Sequence, residues 1–105
     1  MKVFLNSKKM NANAQGEYSE GNGELTVKKG SILSLTLSES KTFRGKKTIV
    51  KTREGKMDGN VLLEDVSFSS PSTAANFVTG GSSNGMRLWK TESGIALGDL
   101  KKEGQ

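Results

Sequence analysis

The clearest regularity in the chain is the alternation of Leu33, Leu35 and Leu37 with Ser34, Thr36 and Ser38. A period of two marks a half-buried strand. Leu25 and Val27 alternate in the same way around Thr26, and Lys2–Leu5 forms an apolar piece at the start. Turn formers separate these pieces: Ser19–Gly23, ending in Asn22-Gly23, then Lys29-Gly30 and Asp58-Gly59. Val61–Leu63 and Val66–Phe68 read as one or two short strands around Glu64-Asp65. The expectation is an antiparallel meander with one oily face and one Ser/Thr face.

Helical spacing is clearest after Ser70. Ser70-Pro71 fits an N-cap followed by proline in the first turn, where its missing N–H is no loss. Ala74, Phe77 and Val78 then share a face, and Gly80-Gly81 ends the helix. Asn84-Gly85 reads as a turn into a strand, Met86–Lys90, with Ile95–Leu97 as its hairpin partner after Glu92-Ser93-Gly94. Residues 99–105 read as a frayed tail. The stretch Lys41–Lys56 is ambiguous. A helix there puts Phe43 and Val50 on one stripe with Ile49 away from it, and Gly45 costs about 1 kcal/mol relative to Ala. Thr48–Thr52 is dense in β-branched residues, which favours a strand. The whole predicts one α+β domain over residues 1–105. Its small antiparallel sheet, a meander plus a C-terminal hairpin, packs with one or two short helices.

Composition narrows the chemistry. The chain holds no Cys and no His, which removes thiol chemistry, disulfides, imidazole catalysis and the common zinc sites. No cofactor or metal is expected. It shows no run of about 18 apolar residues and no charged-then-apolar leader, so the expectation is a cytoplasmic protein with no membrane partner. Glu64 and Asp65 are adjacent and would point to opposite faces of a strand, and Glu17 and Glu20 read as solvated carboxylates. Asp58-Gly59-Asn60 lacks the further ligands of a calcium loop. Gly45–Thr48 lacks the earlier glycine of a phosphate loop, and Gly80–Gly85 follows a helix where an anion site would open one. Ser70 and Ser72 have no histidine to activate them. An enzyme is not expected.

Charge is more informative. Lys41, Arg44, Lys46, Lys47, Lys51, Arg53 and Lys56 stand against Glu54 alone, so one segment carries more than the net +5 of the chain. Gathered on one surface, these cations would form a footprint for phosphates; dispersed, they would be an ordinary solvated face. In Arg87-Leu88-Trp89-Lys90 the tryptophan reads as a packing anchor in preference to a cation-flanked reader.

The run from Phe68 to Lys90, FSSPSTAANFVTGGSSNGMRLWK, carries a helix start in which Ser70, Pro71, Ser72 and Ala74 figure. Asn84-Gly85 and Trp89-Lys90 follow it. This arrangement resembles a bacterial domain-of-unknown-function family often appended to GIY-YIG nuclease-like proteins. It is also similar to the restriction-system adenine-methylase-associated (RAMA) domain. The match spans about Val66–Leu97. Glu24 and Met86 stand where related domains often carry aromatic residues. The resemblance implies a helix over Lys41–Glu54 and an accessory role in restriction, mobile-element or DNA-processing systems. A separate nuclease or methylase subunit would be the partner. It supplies no catalytic residue, and the roles of Ser70, Pro71, Ser72, Ala74, Asn84, Gly85 and Trp89 in it are structural.

The leading expectation is therefore a non-enzymatic module that contacts nucleic-acid phosphates through Lys41, Arg44, Lys46, Lys47, Lys51 and Arg53, with Arg87 and its loop adding contacts. The alternative is a protein-interaction adaptor or inhibitor that recruits its partner by strand addition at Leu33–Leu37. A third reading has the Gly80–Gly85 loop hold a small acidic ligand.

Overall fold

Three antiparallel strands follow one another along the chain: β1 (Lys2–Ser7), β2 (Ala12–Tyr18) and β3 (Leu25–Val27). The computed structural model describes residues 1–37 and 46–103, with side chains described through residue 100. Past the meander, α1 (Lys46–Arg53) leads to a two-stranded hairpin of β4 (Met57–Asp58) and β5 (Val61–Leu62). The chain then returns as β6 (Val66–Phe68) beside β3, giving a main sheet of order β1-β2-β3-β6. Helices α2 (Pro71–Thr79), α3 (Gly85–Leu88) and α4 (Leu97–Glu103) follow. The fold is α+β, as expected. No helix among the described residues is long and apolar enough to cross a membrane.

One face of the sheet is apolar. Val3 and Leu5 of β1, Ala12 and Ala14 of β2, Leu25 and Val27 of β3 and Val66 of β6 are all buried. Against them lie Ala74, Ala75, Phe77 and Val78 of α2. The strand β2 escaped the sequence reading because its inward positions are Ala12, Ala14 and Gly16, too small to register as an apolar alternation. Their smallness has a cause: a Cβ at Gly16 would stand 3.2 Å from the Trp89 ring.

Local sequence chemistry sets α2. The Ser70 side chain accepts from the Thr73 N–H at 3.2 Å, and Pro71 occupies the first turn. Gly80 closes the helix in the left-handed conformation at φ 82°, donating to the Asn76 carbonyl.

Two sequence expectations are corrected and one open choice is decided. Leu33–Leu37 forms no strand: Leu33 N–H donates to Asn60 and Ser34 N–H to Val78, so the two amides serve different partners and no ladder forms. Leu33 is buried whereas Leu35 is 65% exposed. Met86–Lys90 is not a strand either, because Asn84 caps a helical turn by accepting from the Met86 N–H at 3.2 Å. The C-terminal hairpin persists as a single bridge between Lys90 and Ala96. Finally, Thr48–Thr52 lies within α1, as the resemblance implied and its β-branched residues did not.

Several residues of the Phe68–Lys90 run converge on one contact. Trp89 is fully buried, and its indole N–H donates to the Pro71 carbonyl at 3.1 Å. The Gly85 N–H donates to the Ser72 hydroxyl at 3.2 Å. A Cβ on Gly85 would sit 2.2 Å from the Pro71 carbonyl carbon and oxygen, which are backbone atoms with nowhere to retreat. We expect Gly85→Ala to cost about 3 kcal/mol or more by overpacking. Thermal unfolding followed by circular dichroism should then show a Tm lower by roughly 10–20 °C. A loss under about 2 °C would mean that α3 can lift off Pro71 freely.

Between β3 and β6, Asp65 accepts from Lys28 Nζ and from the Lys29 N–H, both at 2.8 Å. The hydrogen bond from Lys28 holds its carboxyl below the usual range, and the Lys29 amide adds to this. With the folded-state pKa depressed, this stabilisation is present at neutral pH and is lost as pH falls through the folded value. Asp65→Asn should therefore be less stable than the parent at neutral pH. Denaturant titrations at falling pH should show the gap closing.

Candidate nucleic-acid interface

Helical periodicity divides the cations of α1 between two directions. Ile49 is the buried contact of the helix, and Arg53, one turn later, points inward with it. Lys47 and Lys51, also one turn apart, lie on the opposite side and are exposed, with Val50 between them 51% exposed. Neither lysine forms an ion pair; the ion pairs among the described residues are Met1–Glu17 and Lys28–Asp65. Lys46 and Lys56 are half-buried. Lys41 and Arg44 lie outside the described residues.

Arg53 does different work. Its guanidinium donates to the carbonyl oxygen of Ser34 at 2.7 Å, to that of Phe77, and at 3.5 Å to that of Val78. It also stands 5.5 Å from the centre of the Phe77 ring. Phe77 and Val78 belong to the last turn of α2, which has no basic residue of its own. A cation supplied from α1 thus meets the negative end of the α2 dipole. Burial pushes the Arg53 pKa down, yet arginine remains charged at any ordinary pH. Its Nε is buried without a partner among the described residues, a cost that the carbonyl bonds offset.

Arg87 is exposed on α3, which packs against α2, α4 and β1. There it lines a shallow depression of about 380 Å³ with Lys90, Asp99 and small residues. The structure therefore brings Lys47 and Lys51 together, turns Arg53 into the protein, and sets Arg87 on a separate element.

The Gly80–Gly85 loop is not a row of bare amides. Gly80 donates to Asn76 O, Gly81 to Thr79 Oγ1, Ser83 to Asn76 Oδ1 and Gly85 to Ser72 Oγ. Four donors that an anion would need are already engaged within the protein.

A second feature was not foreseen. A groove of about 500 Å³ opens between the β1–β2 turn, the segment Ile32–Thr36 and the β4–β5 turn, and Asn6, Asn11, Asn13 and Asn60 line it. Ile32 joins its walls by bridging Asn13 on one side and Val61 on the other. Asn11-Ala12-Asn13 is visible in the sequence, but only the fold brings Asn6 and Asn60 to it.

Because Arg53 fastens α1 to both Ser34 and α2, we expect Arg53→Met to loosen α1 selectively. Hydrogen exchange at the α1 amides should accelerate about tenfold or more, as for loss of a charged hydrogen bond, with α2 and the sheet unchanged. Uniform acceleration across the domain would show that Arg53 supports the whole core.

No curated protein and no solved structure matches the chain. A family model described as a domain of unknown function (DUF4357) matches residues 3–101. Since that match runs from the first strand into α4 and takes in the entire Ser70–Trp89 contact, the chain belongs to this family, the domain of unknown function DUF4357.

Proposed function

We propose that this domain is a non-enzymatic accessory module that meets nucleic-acid phosphates through the outer face of α1. The observation that carries the reading is the Lys47–Lys51 pair, one helical turn apart, exposed and without ion-pair partners among the described residues. Two ammonium groups so placed release counterions when they neutralise phosphates, which favours binding and makes it salt-dependent. These are positioning contacts, so the binding has little sequence preference from α1 alone.

A pI near 9.6 supports association with a polyanion, and the lack of Cys and His supports the absence of catalysis. The resemblance of Phe68–Lys90 to the RAMA domain, and to domains appended to GIY-YIG nuclease-like proteins, supports a cytoplasmic setting in restriction or mobile-element DNA processing. Catalysis would then belong to a separate nuclease or methylase subunit. The adaptor reading retains the exposed Leu35 but not the strand on which it rested.

The test is retardation of duplex and single-stranded DNA over a salt series. Lys47→Ala with Lys51→Ala should lower the slope of log affinity against log salt by about 2 on duplex DNA. Lys47→Glu with Lys51→Glu should abolish retardation at low salt while leaving the thermal transition in place. Binding unchanged in the charge-reversed variant would reject the reading.

A further inference from the structure

The chain has seven asparagines. Three have work in the fold: Asn22 Oδ1 accepts from Glu24 N–H, Asn76 Oδ1 from Ser83 N–H and Asn84 Oδ1 from Met86 N–H. The other four, Asn6, Asn11, Asn13 and Asn60, are exposed and make no side-chain hydrogen bond among the described residues. All four line the one groove.

Turn chemistry accounts for two of them in part. Asn11 holds φ 52°, a conformation asparagine tolerates, and Asn60 follows Asp58-Gly59 at a hairpin turn. It does not account for Asn6 and Asn13, which face each other across β1 and β2. Strands are depleted in asparagine, so this cross-strand pair calls for another cause.

We propose that the groove takes the unstacked bases of a single-stranded nucleic acid and reads their edges with these carboxamides; this rests on the nucleic-acid reading of α1. A carboxamide offers a donor and an acceptor side by side. It matches the N6 and N7 pair of adenine, and unstacked bases expose such edges in single strands. The surroundings suit a polyanion. Among the described residues no carboxylate lines the groove, Lys8 stands at its rim, and Lys9 is exposed next to it. Ser34 belongs to the groove wall, and its carbonyl receives Arg53 of α1. The phosphate-binding helix is thus tied directly to the groove.

Two measurements test the proposal. Free adenosine titrated into the protein should shift the side-chain NH₂ resonances of the four asparagines. In fluorescence anisotropy at fixed salt, the protein should bind an oligo-dA about tenfold tighter than an abasic strand of equal length, the discrimination of one bidentate base contact. Asn13→Ala with Asn60→Ala, both exposed positions, should bring that ratio close to one while binding of the abasic strand stays as in the parent. Lys47→Glu with Lys51→Glu should lose both strands and keep the adenosine shifts. Equal affinity of the parent for the two strands overturns the groove proposal and leaves the α1 reading standing. If no strand binds, the α1 reading fails and adenosine alone decides, with unmoved asparagine resonances overturning the groove. Shifts produced by an acetylated acidic peptide but not by adenosine would place a polypeptide there and overturn it equally.

Discussion

The hydrogen bond from the Trp89 indole to the Pro71 carbonyl holds the two halves of this domain in register. The ring lies against Gly16 in the sheet, while its N–H reaches the first turn of α2. The backbone of the same residue extends the connection. Its N–H donates to Gly85 within α3, and its carbonyl accepts from Leu97 at the start of α4. The next residue, Lys90, exchanges both of its main-chain bonds with Phe4 on the edge of β1. One tryptophan thereby locates α2, α3, α4 and the sheet edge relative to each other. An indole is large enough to dominate a small core and carries one donor that must be satisfied when buried. Pro71 meets that demand because a carbonyl oxygen has two lone pairs, one of which can serve the helix.

How legible each part was in the sequence follows from how local its cause is. The helix α2 was readable end to end, since Ser70, Pro71 and Gly80 act on their own backbone neighbours. The turns at Asn22-Gly23 and Asp58-Gly59 were readable for the same reason. Where a distant partner decides, the local pattern misleads. Ala12, Ala14 and Gly16 look like loop residues until Trp89 and α2 are laid over them. Leu33–Leu37 alternates perfectly, yet its amides are claimed by Asn60 and Val78 from opposite sides. Met86–Lys90 has strand composition, but Asn84 and the close approach of Gly85 to Pro71 start a helical turn first. In α1, β-branched propensity yields to two tertiary contacts, Ile49 in the core and Arg53 on α2.

The basic segment shows the same divide at the level of charge. Counting cations along the chain gives a sum, and only the helical period distributes that sum over faces. Lys47 and Lys51 differ by four positions and agree in direction; Lys51 and Arg53 differ by two and disagree. Arg53 also differs chemically from its neighbours. A planar group with several fixed donors can satisfy three carbonyl oxygens at once, which an ammonium on a flexible stem does less well. Its place at the end of α2 is therefore a matter of shape as much as charge.

The fold separates the residues that build the core from those left exposed around it. The residues from Ser70 to Trp89 lie on the helix-covered side, where they cap, turn and pack. Fold signatures of this kind say that a chain will adopt the architecture and leave its binding partner open. The exposed groups proposed to meet a ligand lie outside that stretch. They are the outward lysines of α1 and the asparagines at the far ends of two hairpins, and Arg53 on the inner side of α1 ties that helix to the groove wall at Ser34. The Trp89–Pro71 contact draws on none of those positions. Binding measured on variants there therefore reports on the exposed groups themselves, since the core that holds them is left intact.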